Sequence, residues 1–357
     1  MPHFLDFDSF PLALNLVIAT AAAVGVWVAG TRLTREADAI AQLTGAGQAF
    51  VGLILLGAIV SLPELSTSVT AAMFGDAAFA VNTLLGGISA VMVALAVVDA
   101  FVREQPISSD IRHPIVLLQG VLTVLFLVVA AAGMTVGDTP LLGAGAWSLA
   151  LLVLYLLCVL LVQRYQRREP WVPSEEARAR SPELARRRRD DRLANAPRER
   201  RPLRRVVLAT SIAAAVTLVT GVLLAGTGRA IAHQTGLGSG FVGLLLGGIA
   251  TSLPEATTFY AAVQLRRFEL AFGDAFGTNL FSTMAIYIAD LVHPGGPILS
   301  SAGRFDLFSI LLGIAVTTTY LAGCIERRNR RVLGMGVDSL VVLALYIGGM
   351  FLLYRLR

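Results

Sequence analysis

The chain contains no lysine; its 29 basic residues are all arginine, an absence that by itself points to no function. Charge of either sign is scarce: 15% of the residues are charged, against about 25% in an average soluble domain. With 55% hydrophobic residues and a mean hydropathy of +0.72, that scarcity excludes a soluble globular domain and marks an integral membrane protein. There are two cysteines, Cys158 and Cys324, both inside apolar runs, which excludes a disulfide framework or a cysteine-based metal site and leaves them as packing residues. The four histidines, His3, His113, His233 and His293, fall near the ends of apolar runs and lack a metal-ligand spacing such as HExxH.

The net charge of +5 is unevenly placed. Residues 164–205 hold 15 Arg and seven Asp or Glu, so the remainder of the chain is slightly acidic. This segment reads as a short charged helix or a disordered connector, with attraction to anionic lipid as its functional alternative. Nucleic acid is not expected as a partner, since the membrane itself supplies the nearest polyanion.

A bilayer-spanning helix needs about 20 predominantly apolar residues. Ten stretches qualify: 11–30, 42–73, 77–101, 113–133, 141–163, 206–226, 238–265, 269–292, 306–323 and 335–354. The N-terminus is not read as a signal peptide, because Asp6 and Asp8 stand where a basic region belongs and the apolar run is too long. Short loops rich in Arg are cytoplasmic. Arg32 and Arg35, Arg103 and Arg112, the linker, Arg266 and Arg267, and Arg327 to Arg331 then face the cytoplasm, leaving both termini outside.

A shift of 191 residues lays the second part of the chain on the first. Phe50-Val51-Gly52-Leu53 falls on Phe241-Val242-Gly243-Leu244, and Ser61-Leu62-Pro63-Glu64 on Ser252-Leu253-Pro254-Glu255. Over positions 50–99, 16 residues are identical without a gap, including Gly57/Gly248, Gly86/Gly277 and Asp99/Asp290. With five spans per half the second copy enters the membrane in the opposite sense, an inverted repeat of the kind secondary transporters use. The fold expected is an all-α polytopic membrane protein of ten transmembrane helices in two inverted five-helix repeats, residues 1–163 and 206–357, with core motifs at 50–99 and 241–290 joined by the Arg-rich linker.

Proline within a helix removes one hydrogen bond and frees the carbonyl four residues back, here that of Ile59 for Pro63 and of Ala250 for Pro254. Such backbone is tolerated at membrane depth where it is buried in protein or lines a wet cavity. Glu64 and Glu255 follow directly. An ionisable residue there costs roughly 2.5–3.5 kcal/mol on insertion scales, so it demands a partner. No Arg lies within these spans, which leaves a cation or a proton. The two carboxylates, the hydroxyls of Ser61, Ser252 and Thr251, and the freed carbonyls make an all-oxygen shell suited to a hard cation such as Ca²⁺, with Na⁺ or protons as competitors. Glycines at Gly86-Gly87 and at Gly273 and Gly277 would let the partner spans approach the broken helices closely.

These paired motifs resemble those of the cation/calcium exchanger superfamily, closest to its sodium/calcium exchanger type, whose two repeats carry Gly-Thr-Ser-x-Pro-Glu followed by Gly-Ser-Asn-x-x-Asn/Asp. The resemblance implies that Glu64 and Glu255 bind Ca²⁺, that Thr251, Ser61 and Ser252 help to hold it, and that Thr278 and Ser282 contribute to Na⁺ sites. The first copy departs from the pattern, with Val60, Gly87 and Val91 at the Thr, hydroxyl and Asn/Asp positions. The Glu-His pair of the proton/calcium exchangers is missing, since Leu65 and Ala256 follow the glutamates.

The function expected is a secondary cation antiporter of a bacterial-type plasma membrane, exchanging Ca²⁺ for Na⁺ by alternating access, with proton-coupled exchange as the alternative. The first and sixth spans are expected to slide as the gate. No cofactor and no obligate protein partner are expected; the partners are inorganic cations and membrane lipid. An intramembrane enzyme lacks an Arg/His constellation beside the acids, and a transport-inactive scaffold would not keep both Pro-Glu pairs. Asp99 and Asp290 are expected to cap helices or line a solvated vestibule, and Asp274 to make a secondary polar contact.

Overall fold

The computed structural model describes residues 6–44, 61–102, 105–111, 114–165, 202–264, 266, 268–327 and 330–356. It is all-helical apart from two short hairpins. In chain order the elements are α1 (Leu12–Thr44), α2 (Leu62–Met73), α3 (Ala77–Asp99), α4 (Pro114–Val136), β1 (Pro140–Leu141), β2 (Ala144–Gly145), α5 (Ala146–Tyr165), α6 (Leu203–Thr235), α7 (Ser239–Val242), a π-helical stretch Gly243–Ile249, α8 (Leu253–Gln264), α9 (Phe268–Val292), α10 (Arg304–Glu326), β3 (Arg331–Val332), β4 (Met335–Gly336) and α11 (Val337–Leu356). Seven of these helices contain a span long and apolar enough to cross a bilayer, and the apolar part of α5, Ala146–Val162, is shorter.

The 191-residue shift relates far more than the core motifs. It carries α1 onto α6, α2 onto α8, and both strands of the first hairpin onto those of the second, residue for residue. The 3₁₀ turns Ile107–Asp110 and Ile298–Ser301 obey it too, as do Leu142 and Leu333, each with φ 53°. The equivalent helices α1 and α6 run antiparallel. Asn15 at the start of α1 meets Gln234 near the end of α6 at 3.3 Å, and farther along α1 a side chain on Gly25 would meet Thr220.

Both of these helices have 33 residues, about 50 Å, which overshoots the stretches 11–30 and 206–226 read from hydropathy. The sequence reading stopped where charges begin, at Arg32 in α1, whereas helical hydrogen bonding continues past the apolar layer. The most deeply buried spans are α3 and α9, which form the middle of the molecule. Asp76 starts α3 by accepting the amide of Phe79 at 3.0 Å, after Gly75 has turned the chain with φ 79°.

Asp99 and Asp290 are fully buried rather than solvated, which corrects the vestibule expectation. Asp99 takes the amide of Ile107 at 2.9 Å and that of Gly336 at 2.6 Å. Asp290 takes Ile298 and Gly145, each at 2.7 Å, and the hydroxyl of Ser148. Each aspartate thus fixes its own following loop and the hairpin of the other half, so the halves are cross-stapled.

Candidate cation site

Each Pro-Glu pair opens a new helix. Ser61 precedes α2 and Ser252 precedes α8, with the proline in the first turn, where its missing N–H costs nothing. Before α8 the backbone widens into the π-helical stretch Gly243–Ile249, which the sequence reading missed. Its glycines permit that geometry and a close crossing with α3. A Cβ on Gly248 would lie 2.5 Å from the carbonyl carbon of Gly86 and 2.6 Å from the nitrogen of Gly87. Backbone therefore touches backbone, which is the close approach that the glycine pattern of α3 implied. Ile59 and Gly57 lie outside the described residues, so the matching stretch before α2 does too.

Glu64 and Glu255 are both buried to within 1% of their surface. Across the seam between the halves, the hydroxyl of Ser252 lies 3.5 Å from Glu64 Oε1, 3.4 Å from the carbonyl of Gly87 and 2.8 Å from that of Gly248. Thr251 also stands against the Glu64 carboxylate, while its hydroxyl folds back to the carbonyl of Gly247 at 2.7 Å. Glu255 lies within electrostatic reach of Glu64 and of the half-buried Asp274.

The oxygens around these acids are short of donors. Glu64 Oε2, both carboxylate oxygens of Glu255, and the hydroxyls of Ser61 and Thr278 are buried with no hydrogen-bond partner among the described residues. An uncompensated buried carboxylate is strongly unfavourable, so this oxygen-rich arrangement is chemically suited to positive charge. Ser282 and Ala250 are also buried, Ala250 at the end of the π-helical stretch, where Pro254 has no N–H to offer its carbonyl. Among the described residues no three His, Cys, Asp or Glu side chains are placed to hold a metal ion together, so hydroxyls and backbone oxygens would have to complete any coordination shell.

One residue was overlooked. Asn279 is fully buried and donates to the carbonyl of Ile88 at 3.5 Å, leaving its own side-chain oxygen unpartnered. Ile88 is its equivalent under the 191-residue shift, so this contact joins two matching positions of the halves. The signal was present, since Asn279 completes the Gly-Thr-Asn stretch. Gly87 matters for the side chain it lacks: a Cβ there would sit 3.4 Å from Glu64 Cγ and 3.6 Å from Ser252 Oγ.

The broken helices also meet the long pair α1 and α6. A Cβ on Gly30 of α1 would lie 2.5 Å from Pro254 Cγ and 3.6 Å from Pro63 Cγ, so one point on α1 touches both helix breaks. Its equivalent Gly221 packs on Ser66, whose hydroxyl lies 3.4 Å from the carbonyl of Thr217 in α6.

Comparison with known proteins bears on the fold and on the family resemblance. The family model described as sodium/calcium exchanger protein matches residues 14–163. A protein named antiporter CaxA, from Alkalimonas amylolytica, is 27% identical over 338 residues, covering 92% of this chain and 95% of its own. The crystal structure of the H⁺/Ca²⁺ exchanger CAX superposes with a TM-score of 0.66 at 13% identity, covering 96% of this chain and 85% of that one. A structure of the sodium-calcium exchanger NCX_Mj superposes with a TM-score of 0.59 at 15% identity, over 96% and 99%. At such identities the two structures speak for the fold alone. These relatives are an antiporter and exchangers, not enzymes.

Proposed function

We propose that this chain, whose residues 14–163 match the sodium/calcium exchanger family model, is a secondary antiporter that moves Ca²⁺ or a similar divalent cation against Na⁺ by alternating access. The observation that carries the reading is the pair of buried, under-partnered carboxylates, Glu64 and Glu255, at equivalent helix breaks. Two negative charges balance one divalent ion, and oxygen donors of this kind suit Ca²⁺. Ser61, Thr251, Ser252, Thr278 and Ser282, with the carbonyls of Ile59 and Ala250, would complete the shell and its flanking Na⁺ positions.

The architecture proposed is ten transmembrane helices in two inverted five-helix repeats, residues 1–163 and 206–357. The element-by-element 191-residue correspondence and the antiparallel run of α1 against α6 support it. Both termini would lie outside and the Arg-rich linker in the cytoplasm of a bacterial-type cell. The long helices α1 and α6 would move against the breaks at Gly30 and Gly221 to open each side in turn.

Proton coupling is the second reading, favoured by one observation. Gly87 and Val91 offer no side-chain oxygen on the first-copy side, where the second copy has Thr278 and Ser282. With flanking ligands missing there, protons on the glutamates could replace Na⁺ as the returning charge.

Ca²⁺ flux into proteoliposomes, driven in parallel by an outward Na⁺ gradient and by an acidic interior, separates these readings. Uptake driven by Na⁺ supports the first and uptake driven only by protons the second. Glu64→Gln and Glu255→Gln are expected to abolish flux while the protein still folds; wild-type flux in either would remove the site.

A further inference from the structure

The two hairpins lie apart from the cation site and share a feature that packing does not explain. In the first, Pro140 pairs with Gly145 and Leu141 with Ala144; in the second, Arg331 pairs with Gly336 and Val332 with Met335. Each loop is two residues long, Leu142-Gly143 and Leu333-Gly334, with φ values of 53° and 84°, and 53° and 83°. Positive φ at both central positions makes a type I′ turn, whose first position favours Asn, Asp or Gly. A bulky side chain is strained there. Both hairpins nevertheless place leucine at that position, and both leave it open, Leu142 81% exposed and Leu333 89%. Beside them Leu141 and Val332 are also exposed.

The level of these tips in the molecule is fixed. Gly145 and Gly336, at the hairpin bases, are bonded to Asp290 and Asp99, near the last turn of α9 and at that of α3. Those helices have 25 and 23 residues and rise roughly 34–38 Å, so they end just past a hydrocarbon core about 30 Å thick. The hairpins then sit in the interfacial layer. Under the antiparallel relation of the halves they sit on opposite faces.

The apolar part of α5, Ala146–Val162, rises only about 25 Å, less than that core. Exposed Leu156, Leu157 and Leu160 on α5, and Ile347, Phe351 and Leu352 on α11, form apolar outer faces that follow directly from the hairpins. The tips therefore continue surfaces that already need lipid.

We infer that the two hairpins are membrane anchors, Leu142 with Leu141 and Leu333 with Val332 inserting among the headgroups and upper acyl chains of opposite leaflets. They set the depth of α5 and α11. Exposed Arg330 next to the second hairpin adds attraction to anionic headgroups on that face. The inference rests on the chain crossing the bilayer and is independent of which ions are exchanged.

The test is a spin label at Leu142→Cys or Leu333→Cys in dilute proteoliposomes; Cys158 and Cys324 are buried and leave the label specific. Relaxation by oxygen relative to a nickel chelate is expected to be several-fold higher at both tips than at a Thr235→Cys control, which is exposed at the end of α6. A ratio equal to that control would overturn the anchoring. So would dipolar broadening between labels, which would assign the tips to contact between copies. As a second measurement, Leu142→Asn with Leu333→Asn relieves the turn strain, so the melting temperature in detergent is expected not to fall. A fall would show that the leucines serve packing within the protein, and would also count against the inference.

Discussion

The hydroxyl of Ser252, in the second half of the chain, lies 3.5 Å from Glu64 Oε1 in the first, while the equivalent hydroxyl of Ser61 has no partner among the described residues. The two copies of one motif are therefore used unequally. Ser252→Ala removes a single neutral donor, a loss of about 0.5–1.5 kcal/mol, so the half-saturating cation concentration should rise roughly two- to tenfold. Initial rates over a Ca²⁺ series measure this; a complete loss of flux would mean that Ser252 is an indispensable ligand.

Gly248 crosses α3 with backbone against backbone, and a methyl group there meets atoms that cannot rotate away. Gly248→Ala should destabilise the protein by about 1–3 kcal/mol. Thermal unfolding in detergent reads this directly. An unchanged melting temperature would show that α3 and the π-helical stretch can separate without cost.

Asp99 and Asp290 hold loops and hairpins through backbone amides. Asp99→Asn and Asp290→Asn weaken charge-assisted hydrogen bonds worth about 1.5–3 kcal/mol each, so both variants should melt earlier yet keep their flux at low temperature. The reverse pattern, intact stability with lost flux, would place them on the ion path.

A cation bound between Glu64 and Glu255, as proposed, would stabilise only the folded protein. Adding Ca²⁺ to about 100 times its dissociation constant should contribute about 2.7 kcal/mol, and chelation should remove it. The Glu64→Gln, Glu255→Gln double variant should melt at one temperature with or without Ca²⁺. If the double variant still responds to Ca²⁺, the ion binds elsewhere.

The helix breaks and acids of the candidate site were legible because their chemistry is local. A proline directly before an acid, inside an apolar run, predicts both the break and the need for a counter-charge, and the repetition at Ser252-Leu253-Pro254-Glu255 supplies a second such pair. The helix ends were less legible, because hydropathy reports the bilayer and not the hydrogen bonding that carries α1 and α6 beyond it. Asn279 was passed over although the Gly-Thr-Asn stretch marks it, because its importance lies in a contact with Ile88 from the other half.

The sequence by itself determined that the chain lives in a membrane, that its halves repeat, and that two glutamates stand at equivalent helix breaks, since composition, repetition and proline geometry act along the chain. Only the tertiary structure decided that Asp99 and Asp290 staple each half to the hairpin of the other, that Gly248 lies on Gly86, and that Gly30 touches both prolines. Those relations join residues far apart in sequence through van der Waals fit and buried hydrogen bonds, which depend on how close two backbones come and not on any pattern within either.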